Sequence, residues 1–110
     1  MFGFGPKNTI SAQEAHNRME QEGDKIIVLD VRTLSEYRQF RIKGAKLLPV
    51  NEIDSRASTE LPDKDKPILV YCQSGARADS AVKLLKRMGY SDVVSFGGII
   101  SWPYETVIGQ

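Results

Sequence analysis

The chain has little that would let it do several common jobs. It has one cysteine, Cys72, and one histidine, His16, among its 110 residues. A single cysteine makes no intramolecular disulfide, and one Cys with one His supplies no multi-ligand zinc site. Charge of either sign is nearly absent in the balance. Fifteen Lys plus Arg stand against 14 Asp plus Glu, for a net charge of +1. A domain built to coat nucleic acid shows a large basic excess, so neither a nucleic acid nor a membrane surface is the expected partner. No run of apolar residues approaches the length of a membrane span. The amino terminus, MFGFGPKNTIS, lacks the basic-then-apolar pattern of an export signal. These absences lead us to expect a single cytoplasmic domain spanning residues 1–110.

What is present is ordinary for a globular domain: 41% hydrophobic and 26% charged residues. A chain of this length buries roughly two-thirds of its unfolded surface, enough for a real core. Residues 1–8 carry two Gly and a Pro and read as a flexible arm, with Phe2 and Phe4 available to dock on the body or on a partner. Ser11 followed by Glu14 is a capping box that opens a helix, and Gly23 sits where its C-terminal cap belongs. Residues 26–29 are a short continuous apolar run, the pattern of a strand buried in a parallel sheet. Thr33 and Glu36 repeat the capping signal for a short helix to about Gln39. Residues 45–48 read as a strand stopped by Pro49, and residues 51–61 as a short helix and loop. A charged turn at 62–67 leads into a second buried strand, 68–71.

The clearest helix follows, with Ala78, Ala81, Val82, Leu85 and Met88 on one face. Residues 93–96 form the next strand, Gly97 and Gly98 break it, and residues 99–110 read as a short closing helix. Strands alternating with helices imply parallel pairing through right-handed crossovers. The expected fold is α/β: a small, mainly parallel sheet of about five strands with helices on both faces. Sites in such sheets lie at the carboxyl ends of strands.

That is where Cys72 stands. The segment Cys72-Gln73-Ser74-Gly75-Ala76-Arg77 joins a buried strand to the best helix. A tight strand-to-helix loop turns successive N–H groups inward as an anion nest, and the helix adds its positive end. Gly75 permits the backbone geometry such a loop needs. Arg77 adds a planar cation suited to an oxyanion. A thiol held there is stabilised as thiolate, the nucleophilic form. Gln73, Ser74, Gly75, Ala76 and Arg77 are therefore candidate substrate-binding residues around a catalytic Cys72. The competing reading is a buried cysteine acting as a small hydrophobe; the strand, glycine, arginine and helix together favour chemistry.

Three blocks of the sequence carry a family resemblance. Leu29-Asp30-Val31-Arg32 with Glu36-Tyr37, the loop at Val70-Tyr71-Cys72-Gln73-Ser74-Gly75-Ala76-Arg77, and Gly89-Tyr90 with Val93, Gly97-Gly98 and Trp102 resemble the motifs of a single-domain rhodanese. The resemblance implies a three-layer sandwich and a sulfurtransferase. The Cys72 thiolate would take the outer sulfur of thiosulfate, release sulfite, and hold a persulfide against the amides of residues 73–77. A nucleophile such as cyanide or a thiol, or a protein acceptor, would then remove it, with no metal or organic cofactor. The alternative is a persulfide carrier or sensor serving one partner protein. Phosphatase or arsenate reductase chemistry is remote, because the spacing from Cys72 to Arg77 is C-x4-R and such enzymes carry one residue more. One departure stands out: where the family often has G-H-I-P-G-A, this chain has Phe40-Arg41-Ile42-Lys43-Gly44-Ala45, so the usual His is Arg41.

Asp30 and Arg32 read either as pocket-lining groups or as a structural ion pair supporting the site. Glu36 either serves Arg32 or caps its helix. Arg38, Arg41, Lys43 and Lys46 form a local basic cluster, which either steers an anionic substrate or is a solvated surface. His16 lies outside every motif, and Trp102 is expected to pack in the core or at its rim.

Overall fold

A computed structural model gives the structure of the protein and describes residues 8–109. Phe2 and Phe4 lie outside the described residues, as does all of the expected arm except Asn8. Helix α1 (Ala12–Glu22) starts where the sequence places it. Ser11 Oγ accepts from the Glu14 N–H at 3.0 Å, and Glu14 Oε1 accepts from the Ser11 N–H at 3.2 Å. Strand β1 (Ile27–Asp30) follows, then helix α2 (Leu34–Gln39), capped by the same reciprocal pattern between Thr33 and Glu36. Two short strands, β2 (Arg41–Ile42) and β3 (Lys46–Leu47), precede helix α3 (Ile53–Glu60). The last major elements are β4 (Ile68–Cys72), α4 (Ala76–Arg87) and β5 (Val93–Gly98).

The main sheet has the order β3-β1-β4-β5, and every pairing in it is parallel. Thr9 adds a one-residue parallel bridge to Ser95, held by the Ser95 N–H on Asn8 O and the Ile10 N–H on Ser95 O, both at 2.8 Å. The sheet of about five strands is thus four strands plus this bridge. A parallel sheet must be covered on both faces, and it is. Ile68, Val70 and Cys72 of β4 pack into a core with Ala57, Leu61, Ala78, Ala81, Val82 and Leu85 of the α3 and α4 side. Leu69 and Tyr71 point the other way, into a core with Ala15 of α1, Phe96 and Trp102. The two-residue period of a strand therefore decides that Cys72 faces the layer containing the helix that follows it.

Two expectations are corrected. The closing helix expected over residues 99–110 is not formed by the described part of that segment, residues 99–109. A single 3-10 turn (Ile99–Ser101) gives way to extended chain, and strand β6 (Thr106–Val107) pairs antiparallel with β2. Pro103 supplies the reason: it lacks an N–H and drives Trp102 into the extended conformation, at φ −84° and ψ 112°. Nor do Gly97 and Gly98 end their strand. β5 runs through both, and the ladder with β4 shifts register between Val70 and Cys72, so that Cys72 lies opposite Gly98.

Trp102 joins the core with Phe96 at 5.2 Å between rings. His16 stacks on Tyr104 at 3.9 Å and meets Trp102 edge-on, a packing role away from the cysteine loop. No helix among the described residues is long and apolar enough to cross a membrane.

Candidate active site

Cys72 ends β4, is 1% exposed, and points at the beginning of α4. The first amides of a helix have no partner within it. At the start of α4 the N-cap is Gly75, which has no side chain to offer them. The Cys72 sulfur takes that part. Sγ accepts from the Gly75 N–H at 3.0 Å and from the Ala78 N–H at 3.3 Å. Two backbone amides thus converge on one sulfur at the entrance to the helix. The sequence marks Ala78 only as part of the apolar face of its helix and not as a site residue. Its signal was its place as third residue of the helix, where an orphan amide always stands.

Gly75 adopts φ 119°, a left-handed conformation that residues with a Cβ rarely take. The loop is also held from below. The Ile100 N–H donates to Gln73 O at 3.2 Å. Gly98 runs directly beneath: a Cβ there would lie 2.2 Å from Gln73 O and 2.5 Å from Ser74 Cα. Gly98 thus shapes the loop, a part that the sequence does not show: there it is a strand breaker and one element of the resemblance. A groove beside the loop is lined by Ser74, Gly75, Asp79, Gly97, Gly98 and Ser101, among others.

Arg77 turns toward α2. Its guanidinium donates to both Glu36 oxygens, Nη1 to Oε1 at 2.8 Å and Nη2 to Oε2 at 3.0 Å. Those hydrogen bonds, with further ones from Thr33, hold the Glu36 carboxyl down at about 2. The same pairing raises Arg77 above its ordinary value. Glu36 therefore serves Arg77 while capping its own helix, and its partner is not Arg32.

Asp30 and Arg32 form a buried pair beside the site, at 0% and 1% exposure. Arg32 Nη2 donates to Asp30 Oδ2 at 2.7 Å and Nε to Oδ1 at 3.0 Å. Arg32 also donates to Phe40 O at 2.7 Å and to Gln73 Oε1 at 3.3 Å. Burial opposes its charge, yet the hydrogen bonds and charge of Asp30 outweigh it and raise Arg32. The Tyr71 hydroxyl donates to Asp30 Oδ2 at 2.7 Å and accepts from the Ile42 N–H at 3.1 Å. Burial, then the Asp30 charge, push that hydroxyl far upward, so it stays a donor. This network ties the ends of β1 and β4 to the loop through Gln73.

The basic cluster does not gather at the loop. Arg41 lies over the Tyr37 ring at 4.6 Å and donates to Gly109 O at 2.6 Å. Lys46 pairs with Glu60 at 3.8 Å, and Lys43 and Lys46 line a cavity at the start of β1.

The fold and site define a class: a doubly covered parallel α/β domain whose single thiol is seated in an amide cradle at a strand-to-helix turn. The chain belongs to the rhodanese-like family: residues 11–103 match the family described as Rhodanese-like domain. It is 38% identical to the sulfurtransferase of Allochromatium vinosum over 96 residues, 86% of this chain and 87% of that one. It is 37% identical to the thiosulfate sulfurtransferase PspE of Escherichia coli over 71 residues, 64% of this chain and 68% of that one. The crystal structure of the Alr3790 protein from Anabaena superposes with a TM-score of 0.83 at 30% identity, covering 91% of this chain and 92% of that one.

Proposed function

We propose that the protein moves a sulfane sulfur from thiosulfate to a nucleophilic acceptor, cyanide or a thiol, through a persulfide on Cys72. The observation that carries this reading is the pair of amides on Cys72 Sγ, from Gly75 at 3.0 Å and Ala78 at 3.3 Å. The Cys72 thiolate attacks the outer sulfur of thiosulfate. A new S–S bond forms, and sulfite leaves with the electron pair of the broken S–S bond. The persulfide anion keeps its charge against the amides of the 73–77 loop and the N-terminal turn of α4. The acceptor then attacks the outer sulfur and Cys72 departs as thiolate, ready for another cycle. Gln73, Ser74, Gly75 and Ala76 bind the sulfur donor in this reading, with Ser74 and Gly75 lining the groove beside the loop. Arg77, braced by Glu36, supplies the loop's cation, while Arg32, paired with Asp30, supports the loop through Gln73. A reducing compartment such as the cytoplasm suits a thiol that must return to its free form.

The test is intact-protein mass spectrometry after thiosulfate, beside Cys72→Ala, followed by cyanide. The wild type gains one sulfur, the variant does not, and cyanide removes the sulfur as thiocyanate. Failure of the wild type to load from thiosulfate or from a persulfide donor overturns the reading. Turnover then separates an enzyme from a carrier: an enzyme cycles repeatedly with cyanide or small thiols, whereas a carrier loads once and waits for its protein partner.

A further inference from the structure

A cavity of about 450 Å³ opens at the start of β1, between α1 and the turn before β3, away from the carboxyl-end loop that holds Cys72. Its apolar wall is Met19, Ile26 and Val28, and lysines 43, 46 and 66 stand around it with one acid, Asp24.

The cavity exists because two strands part there. The ladder between β1 and β3 consists of Leu29 with Lys46 and Asp30 with Leu47, and it goes no further toward the start of β1. On the other side β4 pairs along all of β1, from Ile27 to Asp30. The Ile27 and Val31 N–H groups point to that side, bonding Pro67 O at 2.9 Å and Tyr71 O at 3.1 Å. Alternation turns the Val28 N–H to the opposite side, where no β3 residue is paired with it. A sheet edge with an open donor is a template for another extended chain.

The charges say what kind of chain. Among the described residues, Lys43 and Lys66 have no acidic partner, and Lys46 reaches Glu60 only at 3.8 Å. We propose that this notch binds a short, extended, acidic segment of another protein, laid along the open half of β1. A backbone carbonyl of the segment accepts from the Val28 N–H. Its apolar side chains cover Met19 and Ile26, and its carboxylates meet Lys43 and Lys66. An inorganic anion would leave the apolar wall and the Val28 N–H uncovered, and a purely apolar ligand would leave the lysines unmatched.

The probe is acetyl-Glu-Val-Asp-Val-Glu-amide, titrated into the full-length 15N-labelled protein. The expected result is saturable shifts at the Met19, Ile27, Val28 and Gly44 amides, with slowed exchange of the Val28 N–H. The Lys43→Glu/Lys66→Glu variant binds roughly tenfold or more weakly, and the milder Lys43→Gln/Lys66→Gln pair falls between, each with wild-type spectral dispersion. Three results overturn the proposal. One is the absence of saturation. Another is equal binding by a peptide of glutamates alone, which reports charge without a strand. The last is the same shifts on raising protein concentration without peptide, which reports a second copy of this chain in the notch.

Discussion

Glu36 and Arg77 are separated by 41 residues and meet as a two-pronged pair, with N–O distances of 2.8 and 3.0 Å. The pair clamps the first turn of α4, and hence the cysteine loop, to the first turn of α2. Glu36 also closes the cap of its own helix through the Thr33 N–H at 2.9 Å.

This clamp has a pH signature. Arg77 and then Thr33 hold the Glu36 carboxyl at about 2 against an ordinary value of 4.5. A carboxylate whose folded value is depressed contributes stability above its unfolded value, and that contribution is lost as pH falls through the folded one. Both partners are partly exposed, so solvent screening reduces the contribution to about 1 kcal/mol. We expect Glu36→Gln to lower the urea midpoint at neutral pH, with the difference from wild type shrinking from pH 4.5 down to about 2. A difference constant across that window would show that Glu36 acts without its charge.

The two glycines of β5 are expected to behave differently. In Gly98→Ala the new Cβ meets the backbone at Gln73 O, 2.2 Å away, and backbone cannot rotate aside. The loop must move, at a cost of roughly 1–3 kcal/mol, and sulfur loading of Cys72 should fall by about tenfold or more for each 1.4 kcal/mol of lost loop positioning. In Gly97→Ala the Cβ meets nothing within 4 Å, but φ is 91°. That variant should lose about 1–2 kcal/mol of stability while its folded fraction still loads sulfur. Chemical denaturation and mass spectrometry on both proteins read the contrast.

The buried network beside the site should tolerate no loss of a partner. Arg32→Met removes the fork on Asp30 and the donors to Phe40 O and Gln73. The buried Asp30 carboxylate then lacks its countercharge, at a cost of about 3–5 kcal/mol. Tyr71→Phe strands the Ile42 N–H and removes a donor from Asp30, for about 1–3 kcal/mol. Equilibrium unfolding should rank the two in that order.

Tyr90 closes the end of α3 from a distance. Its hydroxyl donates to Leu61 O at 2.7 Å and lies 3.1 Å from Ala57 O. Tyr90→Phe should cost about 1 kcal/mol and speed amide exchange at residues 57–61, without changing exchange at the cysteine loop. Faster exchange at the loop instead would show that α3 and the site open together.

The sequence by itself determined the local features of this protein. Both capping boxes, the apolar runs of β1 and β4, the apolar face of α4 and the place of Cys72 between strand and helix follow from spacing within a few residues, where backbone and side chain decide alone. The closing segment departs from the expected helix because Pro103 breaks it and the β-branched Thr106 and Val107 pair with β2, a partner distant in sequence. Only the tertiary structure decided that Glu36 serves Arg77, that Tyr71 bridges Asp30 and Ile42, that Gly98 passes under the loop, and that β1 is left open at Val28. Each of these depends on which strands lie side by side and in what register. That is set by burying two opposite faces of one sheet at once, and no short stretch of chain carries it.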